Sequence, residues 1–222
     1  MRLLPAKDTL LHWQTKQLLL LKNAFRFVAP ATNLFSLIKL SLVAQIYHLM
    51  SFLNVEIKAR CSNAEFIRDY LQVNNTELKG TDEQTDTYFN VPNGRLKLRE
   101  GNIENNLIFY ERENQAGPKN SKFNLVKIAD ARGLKEVLTK SNGIKVVVKK
   151  KREIYYIKNV KFHIDEVPGL GSFVEIEAGN ILADLDAEKL KSQCDFYMKE
   201  LGIKPEDLVE ISYSDMLLMG TK

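Results

Sequence analysis

A chain of 222 residues, 45% apolar and 27% charged, can bury one substantial core with room for an appendage. Its +4 formal charge sits in the first fifty residues, where six basic groups face the single acid Asp8; residues 51–222 carry 26 basic and 27 acidic groups, which removes the case for a nucleic-acid partner. Two cysteines, Cys61 and Cys194, exclude a disulfide framework or a metal knuckle and point to a reducing compartment, so the cytoplasm is the expected location.

Residues 1–50 differ from everything after them. They are leucine-rich and nearly free of acids, and Asn33–Leu53 is the most apolar stretch of the chain. That stretch is long enough to span a bilayer, but Lys39 and His48 interrupt it, and a central lysine is costly there. Three readings stand: a signal anchor, a transit-like basic leader that directs the chain to an organelle, or residues read from an upstream start and outside the working protein. The third is favoured, because Met50 is followed at once by the alternating segment Ser51–Lys58. Two domains are therefore expected, a leader over 1–50 and a folded body over 51–222, with a membrane partner only if the leader is an anchor.

The body reads as strands and turns. Phe52–Arg60 alternates. Ser62-Asn63-Ala64-Glu65 has the form of a capping box before the apolar stripe Phe66, Ile67, Tyr70 and Leu71. Glu83–Phe89 predicts a second strand, closed by the turn Val91-Pro92-Asn93-Gly94. Arg95–Glu100, Asn106–Arg112 and Ser121–Ala129 follow as strands. Asp130 caps a helix to about Lys140, which Gly143 ends. Ile144–Arg152, Ile154–Asp165 and Ser172–Ala178 complete the set. A longer helix, capped by Asp184 or Asp186, carries Leu190, Phe196, Tyr197 and Leu201, and Tyr213, Asp215 and Leu217 mark a docked tail helix that could close one tunnel mouth. The reading is a mainly antiparallel β fold with helices (α+β). About eight strands and three covering helices make a sheet large enough to close on itself.

Strand residues two apart share a face. Glu56, Lys58 and Arg60 therefore point one way, and Val55, Ile57 and Ala59 the other. The same division separates Arg95, Lys97 and Arg99 from Leu96 and Leu98, and Glu175 and Glu177 from Val174 and Ile176. Lys150 with Arg152, His163 with Asp165, and Gln84 with Asp86 and Tyr88 form further sets. On one strand this is an ordinary solvated face. Repeated over five strands, with helices needing the apolar face, it makes the charged face the bore of a barrel. A dry, unpaired bore of that kind would be prohibitively costly, so it suits a polyanion accompanied by cations. Glu56, Asp165, Glu175 and Glu177 are candidate ligands for a hard divalent cation, Mg²⁺ or Mn²⁺. Lys58, Lys97, Arg99, Lys150 and Arg152 are the candidate phosphate cradle. A site crowded with carboxylates further suggests that removing one would stabilise the metal-free protein.

Taken together, Asn54-Val55-Glu56-Ile57-Lys58, Gln84–Phe89, Gly94–Arg99, Leu107–Arg112, Val148–Arg152, His163–Val167 and Gly169–Glu177 resemble the CYTH proteins, the triphosphate tunnel metalloenzymes. The likeness covers about residues 52–219 and lies closest to the class IV adenylyl cyclase-like branch, with thiamine triphosphatase related. It implies an eight-stranded tunnel and a Mg²⁺- or Mn²⁺-dependent reaction on a small-molecule triphosphate. The expected reaction is conversion of ATP to cyclic AMP and pyrophosphate. The alternatives are hydrolysis of thiamine triphosphate, inorganic tripolyphosphate or a nucleoside triphosphate, and a non-catalytic module that binds polyphosphate or a nucleotide. It assigns metal binding to Glu56, Glu175 and Glu177 with Asp165 nearby, and phosphate contacts to Lys58, Lys97, Arg99, Arg112, Lys150 and Arg152, with Lys58 and Arg152 as the catalytic pair. Asn54 departs from the family's ExExK signature, replacing its first glutamate with a weaker, neutral ligand.

Overall fold

The computed structural model describes residues 52–112, 114–180 and 185–220; the readings placed on residues 1–50 and on Asp184 lie outside them. The described residues form eight strands and four α-helices. In chain order these are β1 (Phe52–Arg60), α1 (Ala64–Val73), β2 (Glu77–Phe89), β3 (Arg95–Glu100), β4 (Asn106–Arg112), β5 (Lys119–Lys127), α2 (Ala131–Asn142), β6 (Ile144–Ile157), β7 (Val160–Val167), β8 (Gly171–Gly179), α3 (Ala187–Glu200) and α4 (Tyr213–Gly220). The strands close into an antiparallel barrel in the order β1-β5-β4-β3-β2-β6-β7-β8, with β8 returning to pair with β1. Closure leaves no sheet edge exposed. No described helix is long and apolar enough to cross a membrane.

The outer core lies where α1 and α3 cover β1, β7 and β8. Ile67 and Leu71 of α1, and Leu190 and Cys194 of α3, pack on Val55, Ile57, Phe162, Ile164, Val174 and Ile176. Cys194 is a packing residue, its Sγ 3.1 Å from the Val55 carbonyl oxygen. The third expected helix, α2, has no buried residue. Beneath it Leu98 is fully buried, whereas Leu96 stays partly exposed. A second, inward cluster fills part of the bore: Tyr88, Ile108, Tyr110, Phe123, Val148, Val167 and Phe173 gather around Tyr213 of α4, with Met216 and Leu217 packed against them. The tail helix thus packs against the apolar part of the bore.

Three local expectations are corrected. Ser62–Glu65 does not form a capping box: the cap is Asn63, whose Oδ1 accepts from the Phe66 amide, while Glu65 turns to Arg68. Strand β2 begins at Glu77 rather than Glu83, because a bulge between Leu78 and Gly80 breaks the alternation that would have revealed it. Strand β6 does not end at Arg152. Glu153 faces outward onto Arg68 and Tyr155, so the strand continues, and the hairpin turns at Lys158-Asn159, where Lys158 takes φ 55°. Asp130, Gly143 and Asp186 cap their helices as the sequence suggests.

Candidate functional site

The register of the barrel decides which charges meet. Across β1 and β8, Glu56 opposes Glu177 and Lys58 opposes Glu175. Across β7 and β8, His163 opposes Glu175 and Lys161 opposes Glu177, while Arg152 of β6 opposes Asp165. Cross-strand partners lie within side-chain reach. Four adjacent strands therefore gather one cluster.

At its centre is Glu175. Its Oε1 lies 3.0 Å from Lys58 Nζ, and its Oε2 accepts from Arg152 Nη2 at 2.6 Å and sits 3.2 Å from His163 Nδ1. Glu177 Oε1 is 3.8 Å from the same His163 nitrogen. Ligand atoms of His163, Glu175 and Glu177 all lie within 4.8 Å of one another, a spacing that fits a divalent cation. Burial pushes the Glu175 carboxyl up, but Lys58, Arg152 and His163 hold it well below the usual carboxylate range. Burial and Arg152 lower the His163 imidazole, which keeps it neutral and able to ligate.

Of the four carboxylates expected from sequence, the structure brings Glu175 and Glu177 together and sets Glu56 beside them on β1. Glu56 is engaged by Arg112 of β4. Among the described residues, the buried Arg112 Nε and Nη2 groups have no hydrogen-bond partner, so this guanidinium keeps donors for an anion. Asp165 is placed differently. It is fully buried, its two oxygens accept a fork of hydrogen bonds from Arg152, and the Tyr213 hydroxyl donates to Oδ2 at 2.8 Å. These contacts leave it suited to orienting Arg152 rather than to holding an ion.

The remaining cradle residues converge on an acid that the sequence marked only by its face. Asp86 of β2 takes Lys150 at 2.7 Å, Arg99 at 2.8 and 3.0 Å, and Lys97 at 3.2 Å. Burial would raise the Asp86 carboxyl, yet Arg99, Lys150 and Lys97 hold it well below its ordinary range. Burial, with Arg99, Arg152 and Lys97 nearby, lowers Lys150 to about 7 against the pull of Asp86. Glu104, in the β3–β4 turn, pairs with Arg99 at 2.7 Å and Lys161 at 3.4 Å. The turn is held by Asp82, which accepts the Ile103 and Glu104 amides at 2.8 and 3.0 Å. Glu104 lies outside any alternating strand, so sequence periodicity had no means of finding it. His163 and Lys161 could have been found, since both share a face with Asp165.

Each phosphate-binding candidate is thus already matched by a carboxylate. An incoming polyanion must displace carboxylates from cations, and a divalent metal can accept those it displaces. The donor set of Glu oxygens with one imidazole nitrogen fits a divalent cation.

Comparison with known proteins follows the same lines. Residues 53–213 match the CYTH domain family. A protein of Methanocaldococcus jannaschii, provisionally named an adenylate cyclase, is 26% identical over 182 residues, spanning 74% of this chain and 98% of the relative. A conserved hypothetical protein of Pyrococcus furiosus superposes with a TM-score of 0.63 at 30% identity, over 73% of this chain and 98% of that one. An adenylyl cyclase homologue from Hippeastrum, described as having a dominant triphosphatase activity, shares the fold with a TM-score of 0.53 at 16% identity, over 77% of this chain and 95% of that one. The matched stretch takes in all eight strands, so the chain belongs to the CYTH domain family.

Proposed function

We propose that this protein is a metal-dependent enzyme that acts on a small-molecule triphosphate held in the bore, in an adenylyl cyclase-like manner. The observation that carries the reading is Arg112, a buried guanidinium with two groups unsatisfied beside the His163–Glu175–Glu177 cluster. Lys58, Lys97, Arg99, Arg112, Lys150 and Arg152 would contact the phosphates, with Lys58 and Arg152 nearest the metal-binding carboxylates. Glu56, Glu175 and Glu177 would hold the cation with His163. A divalent cation bound there supplies charge neutralisation on the phosphate oxygens. The chain's own contribution is fixed positive charge, preset before the substrate arrives. In cyclisation the 3′-oxygen bonds to the α-phosphorus, the bond to the bridging oxygen breaks, and pyrophosphate and a proton leave. Free Cys61 and Cys194 fit a reducing compartment, so the cytoplasm is the location we propose.

One observation favours hydrolysis as a second reading. Tyr213 and its apolar neighbours fill part of the bore, leaving less room for a nucleoside than for a bare phosphate chain. Incubation with ATP and Mg²⁺ or Mn²⁺ separates the two. Cyclic AMP and pyrophosphate in equal amounts support the cyclase reading; orthophosphate with ADP replaces it by hydrolysis. No metal-dependent product from ATP, thiamine triphosphate or tripolyphosphate would defeat both.

A further inference from the structure

We infer that Tyr213, on the C-terminal helix, is a positioning residue that fixes both Lys58 and Arg152, so that the tail is a working part of the site. This rests on the function proposed above. Three contacts meet on this one side chain. Its hydroxyl donates to Asp165 Oδ2 at 2.8 Å. Its ring lies 3.7 Å from Lys58 Nζ, centroid to nitrogen. Its ring also packs on Phe173, with centroids 4.9 Å apart.

The consequence follows from what each cation otherwise has to hold it. Arg152 is oriented by Asp165, and the Tyr213 hydroxyl is the further donor that fixes the Asp165 carboxylate in turn. Lys58 carries its charge on a flexible stem, and its ion-pair partner is Glu175. When Glu175 turns to a metal, that partner is shared, and the aromatic face of Tyr213 still holds the ammonium by cation–π attraction. One tyrosine therefore keeps two cations in place while their carboxylate is reassigned.

The tail is built to hold this position. Arg95 Nη2 meets Asp215 Oδ2 at 3.0 Å, and the Ser212 hydroxyl donates to the same oxygen at 2.8 Å. Upstream, the Val209 amide donates to the Lys58 carbonyl at 2.8 Å, and buried Lys119 donates to the carbonyls of Gln115, Val209 and Glu210. Helix, strap and barrel are tied on both sides of Tyr213.

The test compares three variants of the full chain with wild type, assayed well below their melting midpoints. Tyr213→Phe keeps the ring and removes the hydroxyl: kcat should fall about tenfold with KM nearly unchanged, the mark of a contact that matters in the transition state. Tyr213→Leu removes both contacts and should raise KM for the triphosphate as well. Met198→Ala loosens the outer core beneath α3, away from the bore, and should lower the melting midpoint while leaving kcat and KM as they are. Wild-type kcat in Tyr213→Phe, or equal kcat losses in Tyr213→Leu and Met198→Ala, overturns the inference and leaves the proposed function standing. A wild-type protein that neither turns over a triphosphate nor melts higher with Mn²⁺ and tripolyphosphate overturns both.

Discussion

At the scale of single residues, the contacts around Glu175 argue against one expectation drawn from sequence. A crowded carboxylate site suggests relief when one charge is removed, but Glu175, though near Glu177 and Asp165, is held directly by Lys58, Arg152 and His163. Glu175→Gln would take the carboxylate from Lys58 and leave Arg152 to Asp165 alone, and should destabilise the metal-free protein by about 3 kcal/mol in urea unfolding. Glu177, which faces Glu175 and the neutral His163, should tolerate the same change with a much smaller loss. Both variants should lose activity by about a hundredfold or more, since each removes a candidate metal ligand. Lys150 gives a second test. With a pKa of about 7 it is half charged near neutrality, and a bound phosphate favours the charged form. Binding tripolyphosphate at pH 7.5 should therefore take up protons, seen as a dependence of calorimetric heat on the buffer's ionisation enthalpy. Lys150→Arg, charged throughout, should show less uptake; equal uptake would remove Lys150 from the phosphate cradle. The charges of this cradle were readable in the sequence because strands alternate. Their pairings were not, because Asp86, Glu104 and Tyr213 reach Arg99, Lys150 and Asp165 across register and chain distance that no local pattern encodes.

At the scale of elements, the strands that alternate without interruption were legible almost to the residue: β1, β3 and β4 run where the pattern of Phe52–Arg60, Arg95–Glu100 and Asn106–Arg112 places them. The elements that differ carry a physical cause, the bulge before Gly80 in β2 and the outward, hydrogen-bonded Glu153 in β6. The tail segment was legible as a docked helix that could close one mouth, but its partners Tyr88, Tyr110 and Phe173 were not, since α4 has neither a strand's alternation nor a long amphipathic stripe. The strap leading to it depends on one lysine. Lys119→Met would leave the carbonyls of Gln115, Val209 and Glu210 without their donor and should cost about 2 kcal/mol of stability. Unchanged urea unfolding in this variant would show that the strap is held by its other contacts.

At the scale of the whole molecule, the buried charges set a stability profile against pH. Lys150 and Lys119 have folded pKa values of about 7 and about 8, below the 10.5 of an unfolded lysine, so the unfolded chain binds more protons between those limits and stability rises with pH there. Tyr88, raised to about 12 from 10.0, reverses the trend as pH climbs past 10. Asp86, Glu104 and Glu175 are depressed, so their stabilisation is present above the unfolded carboxylate range and is lost as pH falls through their lowered values. Urea midpoints should rise above pH 7 to a maximum near pH 10; a maximum near pH 5 would mean that burial does not penalise the charged form of these lysines. Residues 51–222 form a compact unit, and we propose that residues 1–50 are dispensable to it, so a chain of residues 50–222 should be soluble and melt cooperatively. Insolubility would return the leader to the folded protein. The central claim, a bore in which carboxylates pass from cations to a metal as a triphosphate takes their place, requires the two ligands to help one another. Calorimetric titration of the full chain with free tripolyphosphate and with its Mn²⁺ complex measures this directly. The account predicts one site, at least about tenfold tighter for the Mn²⁺ complex, with the advantage lost when Glu175 and Glu177 are both changed to Gln; equal affinity with and without Mn²⁺, or an advantage that survives the double change, would contradict it.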